Sequence, residues 1–237
     1  MTARKMARAV TAVVVGAATA LAGMLTTAPA ANAQPQPCPD VEVVFARGTT
    51  EPPGVGRVGQ AFVDAVRAQA APRSVGVYAV NYAASDNFSA RDELVRTVID
   101  GVRDEADHIR AMAANCPATR LVLGGYSQGA VVTGFTTADA PPAGPLAAIA
   151  PPPLPADVAD HVAAVVLFGT PSGPFLARYQ APQITIGNAY VGKTLELCAG
   201  GDTICSGAPD GGPTLAHALY PVIGLTDEGA RYAVARL

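Results

Sequence analysis

The sequence predicts an α/β fold: a central, mostly parallel sheet flanked by helices in three layers, α/β/α. Three observations carry this. Apolar, β-rich runs alternate along the chain with helical periodicities. The central runs are continuously apolar, which marks strands buried on both faces. One of them, Leu121-Val122-Leu123, passes through Gly125-Tyr126-Ser127-Gln128-Gly129 into a helical segment. Strand, tight Gly-x-Ser-x-Gly turn and helix form a recurrent α/β unit.

The elements follow in order. Val41–Ala46 reads as a strand, and residues 47–54 as a loop rich in Gly, Thr and Pro. A helix is expected over residues 57–69, with Val58, Phe62 and Val66 on one face, then a strand over 75–81. Ser89 precedes Asp92 by three residues, an N-cap pattern. The helix it opens carries Leu94, Val98, Val102, Ala106, Ile109, Ala113 and Cys116 at three- and four-residue spacing, and Pro117 stops it. Residues 120–124 form a short buried strand, and 129–136 a helix. Residues 140–155 hold seven prolines and no charge, so they read as a loop. Residues 163–168 and 194–197 are further strands. The last helix is expected over 226–236, with Thr226 as its cap. No internal repeat and no second domain is evident.

The 237 residues suit one such domain, long enough for a substantial core. An apolar share of 50% with a net charge of -3 excludes a disordered chain. The acidic balance also argues against a nucleic-acid partner. Mean hydropathy is high, +0.27, because one segment raises it. Arg4, Lys5 and Arg8 precede an uncharged apolar run from Ala9 to about Leu25, and Ala31-Asn32-Ala33 follows. This is the layout of a secretory signal peptide. Thr11, Gly16, Thr19 and Gly23 make the run weak as a permanent span. Cleavage after Ala33 is expected, leaving a secreted domain over residues 34–237. Basic residues then fall from 16 to 13 while all 19 acids remain, a charge of -6 over 204 residues.

All four cysteines lie in that domain. An even count in an exported chain reads as two disulfides. The local pairing Cys198–Cys205 is favoured, and it leaves Cys38–Cys116. By loop length, the long bridge contributes about 4–5 kcal/mol and the short one about 2. A zinc site of Cys198, Asp202, Cys205 and His217 is the competing reading, disfavoured in an oxidising compartment. No metal and no cofactor is expected.

A serine in a Gly-x-Ser-x-Gly turn is a candidate nucleophile, and it needs a base and an orienting acid. The chain has three histidines. His108 lies on the polar side of the long helix near Asp104, where a solvated or helix-capping role is expected. His161 precedes the 163–168 strand, at the sheet edge away from catalysis. His217 follows a late loop and is the favoured base. Between Ser127 and His217 the acids are Asp139, Asp157, Asp160, Asp202 and Asp210. Asp157 and Asp160 share the edge problem of His161, and Asp139 borders the Pro-rich stretch. Asp202 is favoured, since the small Cys198–Cys205 ring would hold its carboxylate rigidly, and Asp210 is second.

Phe45-Ala46-Arg47-Gly48-Thr49-Thr50-Glu51, Gly124-Gly125-Tyr126-Ser127-Gln128-Gly129-Ala130, Cys198…Asp202…Cys205 and His217…Tyr220 together resemble the cutinase family. The cutinase-like proteins of mycobacteria and related actinobacteria are the nearest in pattern. The resemblance runs from Cys38 to the C-terminus. It implies a lidless α/β-hydrolase with Ser127 as nucleophile, Asp202 as acid and His217 as base. It also implies an oxyanion hole from the Gln128 backbone N–H and Thr49, and the two bridges named above. The Pro-rich stretch is longer than in fungal cutinases, so the substrate rim is expected to differ there.

The function this implies is a secreted serine carboxylesterase acting on short- to medium-chain acyl esters through an acyl-enzyme. The alternatives are a lipase, phospholipase or thioesterase on the same triad, and a non-catalytic exported surface protein that keeps the fold. An ester or lipid substrate, a monomeric state and at most peripheral association with the cell envelope complete the expectation.

Overall fold

The computed structural model describes residues 37–142 and 147–237. The segment read as a signal peptide, and residues 143–146 of the Pro-rich stretch, lie outside the described residues. The chain order is β1 (Val41–Ala46), α1 (Gly56–Ala70), β2 (Val75–Ala79), α2 (Arg91–Asn115), β3 (Arg120–Tyr126), α3 (Gln128–Thr136), α4 (Ala156–Ala159), β4 (Val162–Phe168), α5 (Gly173–Arg178), α6 (Asn188–Val191), β5 (Thr194–Leu197), a 3₁₀ turn (Leu215–Ala218) and α7 (Leu225–Val234). The five strands form one sheet in the order β2-β1-β3-β4-β5, and each pair is parallel.

Strand periodicity sorts the core into two layers. Val41, Val43 and Phe45 of β1 pack with Val58, Phe62 and Val66 of α1 and with Ala230 and Ala233 of α7. Val44 and Ala46 face the other way, onto Val98, Val102 and Ile109 of α2 and Val131 and Val132 of α3. Both faces of the central strands are therefore buried, which is why their sequences do not alternate. Of the predicted α2 face, Val98, Val102, Ala106 and Ile109 are buried, while Leu94 and Ala113 are partly exposed.

The sheet order reverses between β1 and β3. From β1 the chain crosses to β2 through α1, then returns over the opposite face through α2 to β3 on β1's other side. In open parallel sheets such a switch point leaves a crevice beyond the C-terminal strand ends. Ala46 pairs with Gly125 at that edge, so the loops after β1 and β3 leave side by side.

Several local expectations are corrected. Helix α2 starts at Arg91, with Ala90 rather than Ser89 at its N-cap. The Ser89 hydroxyl donates to Asn87 Oδ1 instead, and Ser85 and Asn87 hold the Glu93 carboxylate of the first turn. Helix α7 starts one residue before Thr226, after Gly224 at φ 80°. Thr226 is buried inside the first turn. Strand β2 stops at Ala79, and the Asn81 N–H is taken by Asp104 Oδ2 at 2.7 Å. Strand β3 runs on to Tyr126.

His108 is neither solvated nor capping. Its Nε2 lies 2.8 Å from Glu42 Oε2, and its ring stacks on Tyr78 with centroids 3.5 Å apart. The described part of the Pro-rich stretch does not reach the C-terminal sheet edge. It follows α3, which runs back across the sheet, and it precedes α4 at the start of β4. Arg103 and Arg110 of α2 donate to Ile149 O and Pro152 O, each at 3.0 Å, and pin it to α2.

Candidate active site

Ser127 sits between β3 and α3 with φ 54° and ψ -116°, a strained conformation for a residue with a Cβ. The flanking glycines explain how the turn closes. A Cβ on Gly125 would lie 2.3 Å from Gly129 O, and one on Gly129 would lie 2.0 Å from Ala46 O. Only glycine lets α3 start so close to the ends of β1 and β3. Ser127 N–H donates to Phe168 O of β4 at 2.9 Å, which fixes Ser127 against the next strand.

The structure brings Ser127, His217 and Asp202 together. Ser127 Oγ lies 2.9 Å from His217 Nε2, and His217 Nδ1 lies 2.8 Å from Asp202 Oδ2. His217 is carried by the 3₁₀ turn, and Asp202 by the loop that the Cys198–Cys205 disulfide closes. The second disulfide, Cys38–Cys116, ties the segment before β1 to the end of α2.

Asp202 is fully buried. Burial works against its charge, but hydrogen bonds from His217 and Tyr220 outweigh it and hold its carboxyl below the usual carboxylate range. Its Oδ1 accepts the Ile204 N–H at 3.0 Å. Its Oδ2 accepts from His217 and also from the Tyr220 hydroxyl, at 2.6 Å. Tyr126, the residue before Ser127, donates its hydroxyl to the His217 carbonyl. Nothing in the sequence reading gave either tyrosine this place. Both lie in motifs that carry the family resemblance, but neither motif says which atom the hydroxyl binds, and those bonds reach 18 and 91 residues along the chain.

Asp202 and the two cysteine sulfurs lie within 4.8 Å of one another, the one metal-like cluster among the described residues. The sulfurs are bonded to each other and offer no thiolates, so this donor set does not suit zinc. The rejected candidates lie elsewhere. Asp139 Oδ2 accepts from Asn188 N and Nδ2 at the start of α6. Asp157 lies in α4 and Asp160 and His161 follow it, at the N-terminal end of β4.

Gln128 opens α3, where first-turn N–H groups have no intrahelical acceptor. Thr49 lies three residues beyond Ala46, as Gln128 lies three beyond its strand partner Gly125. The Thr49 loop is braced by Glu51, whose carboxylate accepts the N–H groups of Gly48 and Arg57. Gln128 Nε2 donates to Ser85 O at 3.0 Å and ties the loop after β2 to the same place.

The cutinase family model matches residues 37–237. This chain belongs to the cutinase family. Among its relatives is the probable carboxylesterase Culp7 of Mycobacterium tuberculosis, 54% identical over 71% of this chain and 88% of that one. The carboxylesterase Culp1 of the same organism is 45% identical over all of this chain and 98% of its own length. Among solved structures, the Trichoderma reesei cutinase in complex with a C11Y4 phosphonate inhibitor has a TM-score of 0.61. It is 32% identical, over 84% of this chain and 77% of that one. Cutinases are serine ester hydrolases, and this cutinase-family chain is a carboxylesterase-type hydrolase with a lidless α/β-hydrolase fold.

Proposed function

We propose that the chain is an exported esterase that cleaves short- to medium-chain acyl esters through an acyl-enzyme on Ser127. The observation that carries this reading is the hydrogen-bonded relay Ser127–His217–Asp202 at the C-terminal edge of the sheet. Ser127 Oγ attacks the ester carbonyl while His217 Nε2 takes its proton. Asp202 keeps the imidazole proton on Nδ1 and stabilises the imidazolium that forms. The Gln128 N–H and the Thr49 hydroxyl face the developing oxyanion. His217 returns the proton to the leaving alcohol, and water releases the acyl group by the same steps in reverse order.

Ser127→Ala is expected to lower p-nitrophenyl butyrate hydrolysis by at least about 10³-fold with the melting curve preserved. A stoichiometric organophosphate adduct located at Ser127 is expected in parallel. Retention of most of the rate in Ser127→Ala would refute the assignment, and absence of the adduct would favour a non-catalytic surface protein. Rates on acetyl, butyryl and palmitoyl esters, phospholipid and acyl-CoA separate esterase from lipase, phospholipase and thioesterase. The Arg4–Ala33 pattern supports export, so the exported product should begin at Gln34 on N-terminal sequencing.

A further inference from the structure

Asp202 and His217 are each gripped by a tyrosine. Tyr220 is completely buried. Its hydroxyl accepts the Ala199 N–H at 3.2 Å and lies 2.6 Å from Asp202 Oδ2. Among the described residues the only other polar atom bonded to it is Cys205 Sγ at 3.4 Å, a disulfide sulfur with no hydrogen and little acceptor strength. The single hydroxyl hydrogen therefore goes to Asp202. It goes to the same oxygen that receives the His217 Nδ1–H. Tyr126 acts on the other partner. Its hydroxyl donates to the His217 carbonyl, and its ring lies 5.1 Å from the imidazole and 5.8 Å from Tyr220.

We propose that Tyr220 and Tyr126 are positioning residues with different tasks: Tyr220 sets how much charge Asp202 presents to His217, and Tyr126 sets where His217 stands. This rests on the triad reading above. A hydrogen bond to a carboxylate draws on its charge. With the Tyr220 hydroxyl gone, Asp202 Oδ2 answers to His217 alone. It then holds the imidazolium proton more tightly. The Tyr126 hydroxyl donates to a carbonyl and to no carboxylate, so its loss loosens the base without freeing an Asp202 oxygen. Burial pushes both phenols up, so both stay protonated as donors across the working range.

Other charged groups face this centre from neighbouring elements. Glu51 and Arg57 come from the β1–α1 side, where Arg57 donates to Ala218 O at 3.1 Å. Arg178 of α5 donates to Gly211 O. Neither tyrosine substitution removes these, so a difference between the two variants reports the Asp202 bond.

The test measures kcat and KM for p-nitrophenyl butyrate from pH 5 to 9 in the wild type, Tyr220→Phe and Tyr126→Phe, with melting curves alongside. Tyr220→Phe should lower plateau kcat about tenfold and move the acid limb to higher pH by at least about 0.3 unit. Tyr126→Phe should lower kcat about three- to tenfold with the limb unmoved. KM should stay within about twofold in both. Uniform 3-fluorotyrosine, a stronger phenol donor, should move the limb the opposite way, in the wild type and in Tyr126→Phe alike. That arm needs no substitution at Tyr220 and stands if Tyr220→Phe does not fold. A limb unmoved in both the Tyr220→Phe and fluorotyrosine arms, or moved equally by both substitutions, overturns the proposal. Organophosphate labelling of the wild type separates the two levels. With Ser127 labelled and the limb unmoved, only the tyrosine assignment falls; with Ser127 unlabelled, the triad reading falls and takes it along.

Discussion

Gly169 follows β4 at φ 58°, and a Cβ there would lie 2.9 Å from the Tyr220 hydroxyl oxygen and 3.0 Å from His217 Cε1. Any side chain would both strain the backbone and push on His217 and Tyr220. Gly169→Ala should therefore lower kcat on the order of 10²-fold, since displacements of about 1 Å in a catalytic group have that scale. Steady-state kinetics beside a melting curve check it, and kcat within twofold of wild type would mean that the loop absorbs the methyl group. At this scale the site was unevenly legible. Ser127 is announced by glycines that have one steric purpose. Asp202 and His217 emerge by elimination among few candidates. Gly169 is silent, and Tyr126 and Tyr220 stand in recognisable motifs without a legible partner, because their roles come from contacts that only the fold brings together. His108 misleads for the same reason: its partner Glu42 lies 66 residues away.

The elements divide along similar lines. Helix α2 is long enough for its buried face to repeat, and β1, β3 and β4 are long enough for their apolar runs to stand out. Helices α5 and α6 and the 3₁₀ turn of His217 span six, four and four residues, too few for a period to show. They are held by context instead. Ser172 N–H at the start of α5 donates to Ile204 O of the disulfide loop, and Tyr179 just after it packs on Phe88 with centroids 5.3 Å apart. That disulfide loop is the most consequential short element, and the two bridges should separate stability from activity. Replacing Cys38 and Cys116 by Ser frees a 78-residue separation and should cost about 4–5 kcal/mol in urea unfolding, with kcat within about threefold of wild type in the folded protein. Replacing Cys198 and Cys205 by Ser frees only seven and should cost about 2 kcal/mol, yet lower kcat by an order of magnitude or more. Equal kinetic losses in the two double variants would contradict the idea that the short bridge steadies Asp202.

For the whole molecule, five of the thirteen Phe and Tyr residues form a chain from core to site. Phe62, Phe45 and Phe168 pack edge-on or tilted in the α1–α7 layer, Tyr220 stands on Phe168, and Tyr126 stands on Tyr220 beside His217. The opposite layer holds the global liability. Glu105 of α2 is fully buried against α3, and burial, with a smaller push from Asp104, raises its carboxyl to about 8 despite hydrogen bonds from Thr136 and Thr133. Proton counting agrees. The Thr133 hydroxyl lies near Glu105 Oε1 and Gly124 O, and that of Thr136 near Glu105 Oε2 and Val132 O. Two hydroxyl hydrogens face four acceptors, and a carboxylic proton supplies the third donor. The folded chain thus keeps a proton that the unfolded chain, titrating near 4.5, gives up. This contribution favours folding fully below about pH 4.5, declines as pH rises toward 8, and is gone above it. The change is of the order of a few kcal/mol. On the proposed mechanism activity runs the other way, because His217 must be unprotonated to accept the Ser127 proton. Urea unfolding from pH 4.5 to 8.5 should show stability falling with pH in the wild type and a flatter profile in Glu105→Gln, which keeps the shape and a donor but cannot ionise. Subtracting the two curves removes every other titrating group, the histidines included. A flat difference would mean that Glu105 is charged in the folded protein, whereas a difference growing between pH 4.5 and 8 assigns the decline to this one buried carboxyl beneath the helix that follows Ser127.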